Sequence, residues 1–331
     1  MTTKAHRRTF VAPFHIDLGA TLATLGPLAH GTRNPAFRLA ARDAWRVQHT
    51  PCGPATLHLH VGSDRCTIDA VAWGSGAEWS VAQAPDLVGM ADDPDAFCPR
   101  DPLVRALVDE HGSVRLGRTV AAYDVATAAV IEQRVTGVEA RRTWYALVRR
   151  YGAPAPGPAG AQPNGLRQFP APDVVAQLGD GARRALDLEM RRGVALSAVA
   201  ADARGLDRAA ALGPAALDRR LRAIPGVGHW TSAAVRAAVL GDADAVPVGD
   251  WHIPRAVVAG LTGERVPRHE ADARMLELLE PFRPHRHRVV RLALAAGGLG
   301  GRRAPRAEIP DLLRKDARGR PYRVRRTLRF A

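Results

Sequence analysis

Two short segments of the chain carry residues whose types and spacing could do chemistry. The first, PGVGHWT at residues 225–231, lies between two apolar, alanine-rich runs. Its glycines let backbone amides approach an anion, and a helix that begins at His229 or Trp230 presents unpaired N–H groups to it. The second segment, VPVGD, ends at Asp250, which lies 22 residues after Gly228. A turn suited to phosphate is thus followed, one helix and one loop later, by a carboxylate.

Each segment also has a purely structural interpretation. A glycine-ended helix joined to its neighbour explains the Gly-x-Gly turn, and the turn by itself favours that ordinary joint over an anion site. Asp250 could cap a helix that begins near Ile253, and without the turn this role would be preferred.

The elements that position these segments are helical from about residue 120 onward. Apolar residues follow helical steps up to Val135. Thr136 and Glu139 then form a Thr-x-x-Glu capping box, which predicts a new helix and a tight corner at residues 133–136. The Gly- and Pro-rich residues 152–165 predict an irregular connection, and short helices separated by glycines follow it.

Nearer the N-terminus, polar and apolar residues alternate. TLHLHV and CTIDAVAW are typical of two strands joined by a turn, and AWRVQHT of a third, which predicts a small antiparallel sheet. His58 and His60 then share one strand face, an interpretation that we favour over a metal site. Cys52, Cys66 and Cys98 are scattered and odd in number, so they support neither a disulfide framework nor a four-thiolate metal site.

The charge of the chain is strongly positive. Its 331 residues carry a formal net charge of +14 with a pI near 11.0, which is typical of a protein that meets a polyanion. Removing Lys4 and Lys315 from the 47 basic residues leaves 45 arginines, a bias that a GC-rich genome also produces. Residues 302–331 contribute +8, from 11 basic and 3 acidic residues, and could contact nucleic acid or be solvated. No long apolar run and no signal peptide is found, which favours a soluble cytoplasmic protein.

In this order, the segments resemble those of the helix-hairpin-helix superfamily of DNA base-excision glycosylases. IPGVGHWT matches the hairpin of that superfamily, and VPVGD its Gly/Pro-rich loop with a final aspartate. EQRVTGVEA resembles the corner whose side chain enters the DNA stack, and RPHRHRVV the closing helix. The N-terminal TPCGPATLHLHV and AVAWGSGAEW resemble the sheet domain of the alkylpurine branch, the 3-methyladenine DNA glycosylases. The resemblance covers about residues 10–300.

The resemblance implies an α+β fold, in which a small N-terminal antiparallel sheet domain precedes a mostly helical glycosylase domain. We expect the sheet domain at residues 1–111 and the helical domain, with a cleft between two helical lobes, at residues 112–301. A basic C-terminal tail at residues 302–331 completes the expected organisation.

The resemblance also assigns roles to residues. Asp250 becomes the catalytic carboxylate, because base removal passes through an oxocarbenium-like sugar that a negative charge stabilises. Arg134 takes the wedge position, although a surface arginine on a phosphate has nearly equal support. Trp251 could stack on a cationic base or belong to the core, and His252 and Gln133 are divided between site lining and packing. The implied site residues are Asp250 as the catalyst; Trp251, Trp230 and His252 in the base pocket; Arg134 and Gln133 at the corner; and Pro225, Gly226, Val227, Gly228, His229 and Thr231 in the phosphate-binding hairpin.

The implied function is a monofunctional DNA glycosylase of base excision repair. It would flip out and hydrolyse off alkylated purines, 3-methyladenine and 7-methylguanine above all, and leave an abasic site. Relatives that also cleave the strand carry a lysine nucleophile in the hairpin, where this chain has Trp230. No cofactor and no metal is expected. Because Gly249 stands where many relatives carry a second acid, we expect a single catalytic carboxylate.

Two alternatives stay open. An oxidised-base or mismatch glycosylase would share the fold and the aspartate, whereas a non-catalytic DNA-binding protein would use the hairpin alone. Under the preferred interpretation, a monomer binds double-stranded DNA with damaged bases in the cytoplasm, at the nucleoid, and no membrane is involved.

Overall fold

A computed structural model describes residues 4–25, 34–111, 115–158, 160 and 162–298. The predicted α+β class is confirmed, because a five-stranded sheet near the N-terminus is followed by a chain of helices. The basic tail predicted at residues 302–331 lies outside the described residues. The strands are β1 (His6–Val11), β2 (Phe37–Leu39), β3 (Asp43–Thr50), β4 (Gly53–Val61) and β5 (Thr67–Gly74).

Fifteen α-helices occur in the described part of the chain. None of them combines the length and the apolar character that crossing a membrane demands. Their bounds are α1 (Leu18–Leu22), α2 (Ala77–Ala82), α3 (Ala84–Leu87), α4 (Pro102–His111), α5 (Tyr123–Ile131), α6 (Gly137–Tyr151), α7 (Pro172–Ala176), α8 (Asp180–Ala185), α9 (Met190–Ala201), α10 (Ala203–Ala211), α11 (Pro214–Arg222), α12 (His229–Leu240), α13 (Ile253–Thr262), α14 (Arg268–Leu279) and α15 (Arg286–Ala293).

The sheet is antiparallel throughout, with the strand order β1-β5-β4-β3-β2. Leu57, Leu59 and Val61 of β4 are buried in a core that α1, α2 and α3 help to close. His58 and His60 both lie within hydrogen-bonding distance of Oδ1 of Asp43, at 2.8 and 3.0 Å. The predicted strand face is therefore present, and it joins β4 to β3.

The helices form two cores. The first helical lobe comprises α5 to α12, whose buried side chains run from Ala122 to Val239 in one cluster. The second helical lobe comprises α4 and α13 to α15, which share a separate cluster that includes Val257 and Met275. Helix α4 precedes the boundary predicted after residue 111, yet Val104 and Leu107 pack in this second cluster. The chain thus contributes a helix to the second lobe before it builds the first.

Candidate active site

The hairpin joins α11 to α12 in the first helical lobe. Helix α12 begins at His229, as predicted, and no side-chain cap occupies its N-terminus. Gly226 has a φ of +86°, a left-handed conformation that favours glycine. Gly228 is extended instead, with φ −101° and ψ −171°, a conformation that any residue adopts. A Cβ on Gly228 would meet no atom within 4 Å, which leaves the helix start open to an anion.

The other hairpin residues divide into exposed and buried positions. Pro225, Gly226, Gly228 and His229 are exposed, so they present the surface of the turn to solvent. Val227 and Thr231 are buried and secure the turn to the core of the first lobe. The phosphate-binding role of all six residues stays a prediction.

Gln133 ties the corner between α5 and α6 to the hairpin. Its Nε2 donates to the carbonyl oxygen of Gly226 over 3.0 Å and to Oγ1 of Thr231 over 2.8 Å. The predicted capping box is confirmed, because the side chains of Thr136 and Glu139 each bond the backbone of the other. The corner and the hairpin are therefore joined by hydrogen bonds into one surface.

Arg134 is exposed at the tip of this corner. Its φ is +57°, a left-handed conformation that costs a non-glycine residue roughly 1–2 kcal/mol. Strain of this kind persists where the surrounding structure imposes it, and it is concentrated at functional positions. The two sequence interpretations, a wedge and a phosphate contact, both need the exposed position that the side chain has.

Asp250 lies where the two helical lobes meet, and both of its carboxylate oxygens are engaged. Oδ1 accepts hydrogen bonds from the backbone N–H groups of His252 and Ile253, each over 2.8 Å. Oδ2 accepts from the indole Nε1 of Trp230, also over 2.8 Å. The N-cap of α13 is His252 and not Asp250, yet the Asp250 carboxylate still accepts from the first N–H groups of this helix. These bonds orient the carboxylate without occupying all of it, because an ionised carboxylate has about four lone-pair sites.

The loop that carries Asp250 is held at both ends. Near its start, Asp244 accepts from Nε and Nη2 of Arg286 on α15, over 2.8 and 2.6 Å. Near its end, the N–H of Gly249 donates to Oδ1 of Asp272 on α14, over 2.8 Å. Gly249 has a φ of +91°, so a side chain there would strain the turn that presents the aspartate. The sequence analysis did not predict these contacts of Asp244 and Gly249.

Trp251 and His252 flank Asp250 in different ways. Trp251 is 44% exposed, which excludes the alternative that it belongs to the core. The guanidinium carbons of Arg255 and Arg268 lie 5.7 and 5.9 Å from its ring centroid. A cationic base would have to compete with these two cations for the ring. His252 is half-buried, and its backbone N–H contributes to the binding of Asp250.

Glu132 places a second carboxyl group beside the site, and the sequence analysis overlooked it. It is the first residue after α5, and it is half-buried. Loss of solvent on burial raises the pKa of Glu132 to about 8; the Arg141 guanidinium offsets part of this rise, and the Asp250 carboxylate adds to it. A second carboxyl group thus interacts with Asp250, while the expectation of a single catalytic carboxylate stays a prediction. The available signal was the glutamate that begins the quoted segment EQRVTGVEA.

Comparisons with known proteins decide what this arrangement is related to. No family model matches the chain. A 3-methyladenine DNA glycosylase from Archaeoglobus fulgidus superposes with a TM-score of 0.68 at 18% identity, over 87% of this chain and 97% of that one. The chain shares the fold of this 3-methyladenine DNA glycosylase. An 8-oxoguanine glycosylase/lyase from Clostridium acetobutylicum, solved with DNA, superposes with a TM-score of 0.56 at 13% identity, over 79% and 87% of the two chains.

A sequence relative supports the same resemblance. The chain is 29% identical over 249 residues to a probable bifunctional transcriptional activator/DNA repair enzyme AlkA of Mycobacterium tuberculosis. The match covers 72% of this chain and 47% of that protein, so the chain spans about half the length of the curated relatives it matches. The resemblance to helix-hairpin-helix glycosylases of the alkylpurine branch, inferred from the sequence, is confirmed.

Proposed function

We propose that this protein is a DNA glycosylase of base excision repair that hydrolyses the glycosidic bond of alkylated purines. The observation that carries the proposal is the position of Asp250, which the hairpin helix contacts through Trp230 and the α13 N-terminus fixes from the other side. A DNA backbone bound at the hairpin would bring its sugars toward this carboxylate. Alkylpurines such as 3-methyladenine and 7-methylguanine are the preferred substrates.

In the proposed reaction, Asp250 acts on the sugar. As the bond from C1′ to the purine breaks, positive charge develops on the sugar, and the carboxylate stabilises it. Water then attacks C1′ while Asp250 orients it and accepts its proton. The damaged base must first leave the duplex, and Arg134 at the exposed corner would fill the vacated stack.

The enzyme is proposed to be monofunctional. Strand cleavage by glycosylases of this fold needs an amine nucleophile, and Trp230 occupies the hairpin position where such relatives carry it. Lys4, the only lysine among the described residues, is exposed just before β1 and far along the chain from Asp250.

Base release from alkylated DNA tests the proposal. Purified protein is incubated with duplexes that each contain one lesion, and the released bases are identified by chromatography. Release of 3-methyladenine or 7-methylguanine, with alkali needed to break the abasic strand, is expected. The panel includes 8-oxoguanine, because a solved structure with this fold is an 8-oxoguanine glycosylase/lyase. DNA binding without release of any base would favour the non-catalytic alternative and contradict the proposal.

A further inference from the structure

Strand β1 leaves one long edge of the sheet open. Within the described residues it pairs on one side only, with β5, and so forms an edge of the sheet. The opposite edge differs, because β2 has only three residues and the N–H of Arg167 donates to the carbonyl of Pro35, just before that strand, over 2.7 Å. A free edge pairs readily with another extended chain, and proteins usually shorten or cover it. The six-residue β1 is accessible to such a chain.

The backbone of β1 directs alternate groups away from the sheet. The N–H of Ala12, which continues the register of β1 with β5, donates to the carbonyl of Cys66 over 2.9 Å. Residues of an antiparallel strand alternate between bonding the partner strand and facing away from it. Counting back from Ala12, the even-numbered residues of β1 therefore bond β5. The N–H and C=O groups of Arg7, Thr9 and Val11 point outward, where an added strand would meet them.

The side chains of β1 divide between the two faces of the sheet. Phe10 is half-buried and packs on the core of the sheet, on the face against which α2 lies, and Arg8 is exposed on that same face. Arg7, Thr9 and Val11 are on the other face and all exposed, Val11 by 69%. The edge is thus cationic at Arg7 and Arg8 and apolar at Phe10 and Val11.

These exposed cations define the chemistry of a matching partner. Lys4, just before the strand, is also exposed, so three cations lie within five residues. Strand β5 carries a single acid, Asp69, whose Oδ1 accepts from the hydroxyl of Thr9 over 2.6 Å. Opposite charges across two strands stabilise their pairing, and like charges oppose it. An acidic segment therefore fits this edge, whereas a second copy of the chain would add its own cations to the same sheet.

We propose that β1 is a docking edge for an acidic, extended segment of a partner protein, which adds to the sheet as a sixth strand. Main-chain hydrogen bonds to Arg7, Thr9 and Val11 supply the affinity. Carboxylates opposite Arg7 and Arg8 select the partner, and apolar residues of the segment lie beside Phe10 and Val11. This inference goes beyond base removal, because it concerns the sheet and not the candidate active site.

Fluorescence anisotropy with a labelled peptide tests the proposal on the full chain. The probe, IVTEDE, runs antiparallel to β1, so that its acidic end lies opposite Arg7 and Arg8 and its apolar end opposite Phe10 and Val11. The control probe has the same sequence but carries N-methyl groups on its threonine and aspartate, which removes two main-chain donors that face β1. We expect the control to bind at least about tenfold more weakly. Equal affinity of the two probes, or no binding of either, would overturn the proposal.

Two substitutions of Thr9 separate its backbone from its side chain. Thr9→Pro removes the outward N–H, and the variant should fold, because the sheet itself does not use that group and edge strands accept proline. Thr9→Val keeps the N–H and, like proline, lacks the hydroxyl that bonds Asp69. We expect Thr9→Pro to weaken peptide binding at least about tenfold and Thr9→Val to leave it within about twofold.

Melting temperatures show whether both Thr9 variants are folded. Equal peptide affinity of the two folded variants would contradict strand addition. If Thr9→Pro does not fold, the N-methylated probe asks the same question of the wild-type protein.

Reversing the charge of the edge tests the selection of an acidic partner. The double substitution Arg7→Glu and Arg8→Glu should weaken binding of the probe about tenfold, because two attractive cross-strand pairs become repulsive. The matched control is Arg204→Glu with Arg208→Glu, which changes the net charge equally at two exposed positions of α10. Its affinity for the probe should stay near the wild-type value. Equal losses in the two proteins would show general attraction to a basic chain and overturn the proposal.

Other occupants of the edge give different results. If the Arg7 and Arg8 double variant loses affinity for undamaged duplex DNA while the wild-type protein does not bind the peptide, the edge is a DNA surface. If sedimentation shows a wild-type dimer that Thr9→Pro dissociates and the peptide does not, the occupant is a second copy of the chain. Either result would overturn the acidic partner. Base release by these variants should match that of wild type, so failure of this inference leaves the proposed function standing.

Discussion

The indole Nε1 of Trp230 donates a hydrogen bond to Oδ2 of Asp250 over 2.8 Å, and this contact joins the two helical lobes at the candidate active site. Trp230 lies in the first turn of α12, directly after the hairpin, and Asp250 ends the loop that leads to α13. Since Oδ1 is held by the start of α13, the tryptophan fixes the second oxygen and with it the plane of the carboxylate. Trp230 is therefore a donor that orients the Asp250 carboxylate.

Replacing Asp250 by Asn should abolish most base release. Asparagine keeps the shape but loses the negative charge and the ability to accept a proton from water, so we expect a slowing of about 100- to 10,000-fold. Its amide oxygen can still cap α13, and the NH2 group then faces the indole N–H of Trp230. This meeting of two donors should lower the free energy of unfolding by about 1 kcal/mol. Single-turnover excision and denaturant unfolding measure the two effects.

The matched control for this variant is Trp230→Phe. It removes the donor and leaves the carboxylate, so excision should fall only about tenfold, through looser orientation of Asp250. In the Trp230→Phe background, Asp250→Asn should no longer destabilise the fold, because the clash of donors is gone. Wild-type excision by a folded Asp250→Asn protein would remove Asp250 from the mechanism.

Gly228→Asp should weaken binding to every DNA sequence alike. The extended backbone of Gly228 accepts any residue, and the new side chain meets open space and can cap α12, so the variant should fold. Its charge would face the phosphate bound at the helix start. We expect the dissociation constant to rise about tenfold for damaged and undamaged duplexes, with a salt dependence reduced by about one phosphate contact.

Gly179→Asp is the control for that measurement. Gly179 is also an extended N-cap with open space around its Cβ, at the start of α8, so it receives the same charge and the same cap. Its DNA affinity should stay near the wild-type value. Equal losses in both variants would show a general effect of charge and would not support a clamp at the hairpin.

Two substitutions of Arg134 separate its backbone strain from its side chain. Arg134→Ala should slow excision from duplexes more than from single strands, because only a duplex leaves a gap and an unpaired opposite base. Arg134→Gly should slow duplex excision as much, while it relieves the left-handed strain and raises the free energy of unfolding by about 1 kcal/mol. Equal losses on both kinds of DNA would assign Arg134 to phosphate binding alone.

Borohydride should trap no covalent complex between an internal residue and DNA. Trapping requires a Schiff base, and Lys4 and Lys315 are the only lysines in the chain. An 8-oxoguanine glycosylase/lyase serves as the positive control, and peptide mapping locates any adduct. Efficient trapping on a lysine would contradict the monofunctional assignment, whereas an adduct on the N-terminal amine would identify an unexpected nucleophile.

Local patterns predicted much of the fold. The three central strands were predicted because polar and apolar residues alternate in their sequences, most regularly in TLHLHV of β4. The capping box at Thr136 was predicted because its two partners are three residues apart. The edge strands β1 and β2 were missed. Strand β1 is mostly exposed and β2 has three residues, so neither carries the alternation that burial on one face imposes.

The candidate site was only partly predictable, because its decisive contacts join distant parts of the chain. The roles assigned to Asp250 and Arg134 came from the resemblance, and the site assignments stay predictions. The bond from Trp230 to Asp250 and the closeness of Glu132 to that carboxylate depend on how two lobes pack, which no spacing along the chain encodes. Glu132 also escaped notice because a glutamate at a helix end is ordinarily a solvated charge.

The attachment of Gln133 to the hairpin has a consequence for how such a protein would search a chromosome. The side-chain amide of Gln133 donates hydrogen bonds to Gly226 and Thr231. Movement of the corner that bears Arg134 is therefore coupled to the hairpin, the surface proposed to bind the DNA backbone. The Arg134 side chain would then already be in position as the protein moves along intact DNA, and the protein would not have to rearrange before it tests each base pair. The energy needed to open a base pair would then come from distortion of the duplex alone, so a pair weakened by damage would open first and would be the place where the protein stops.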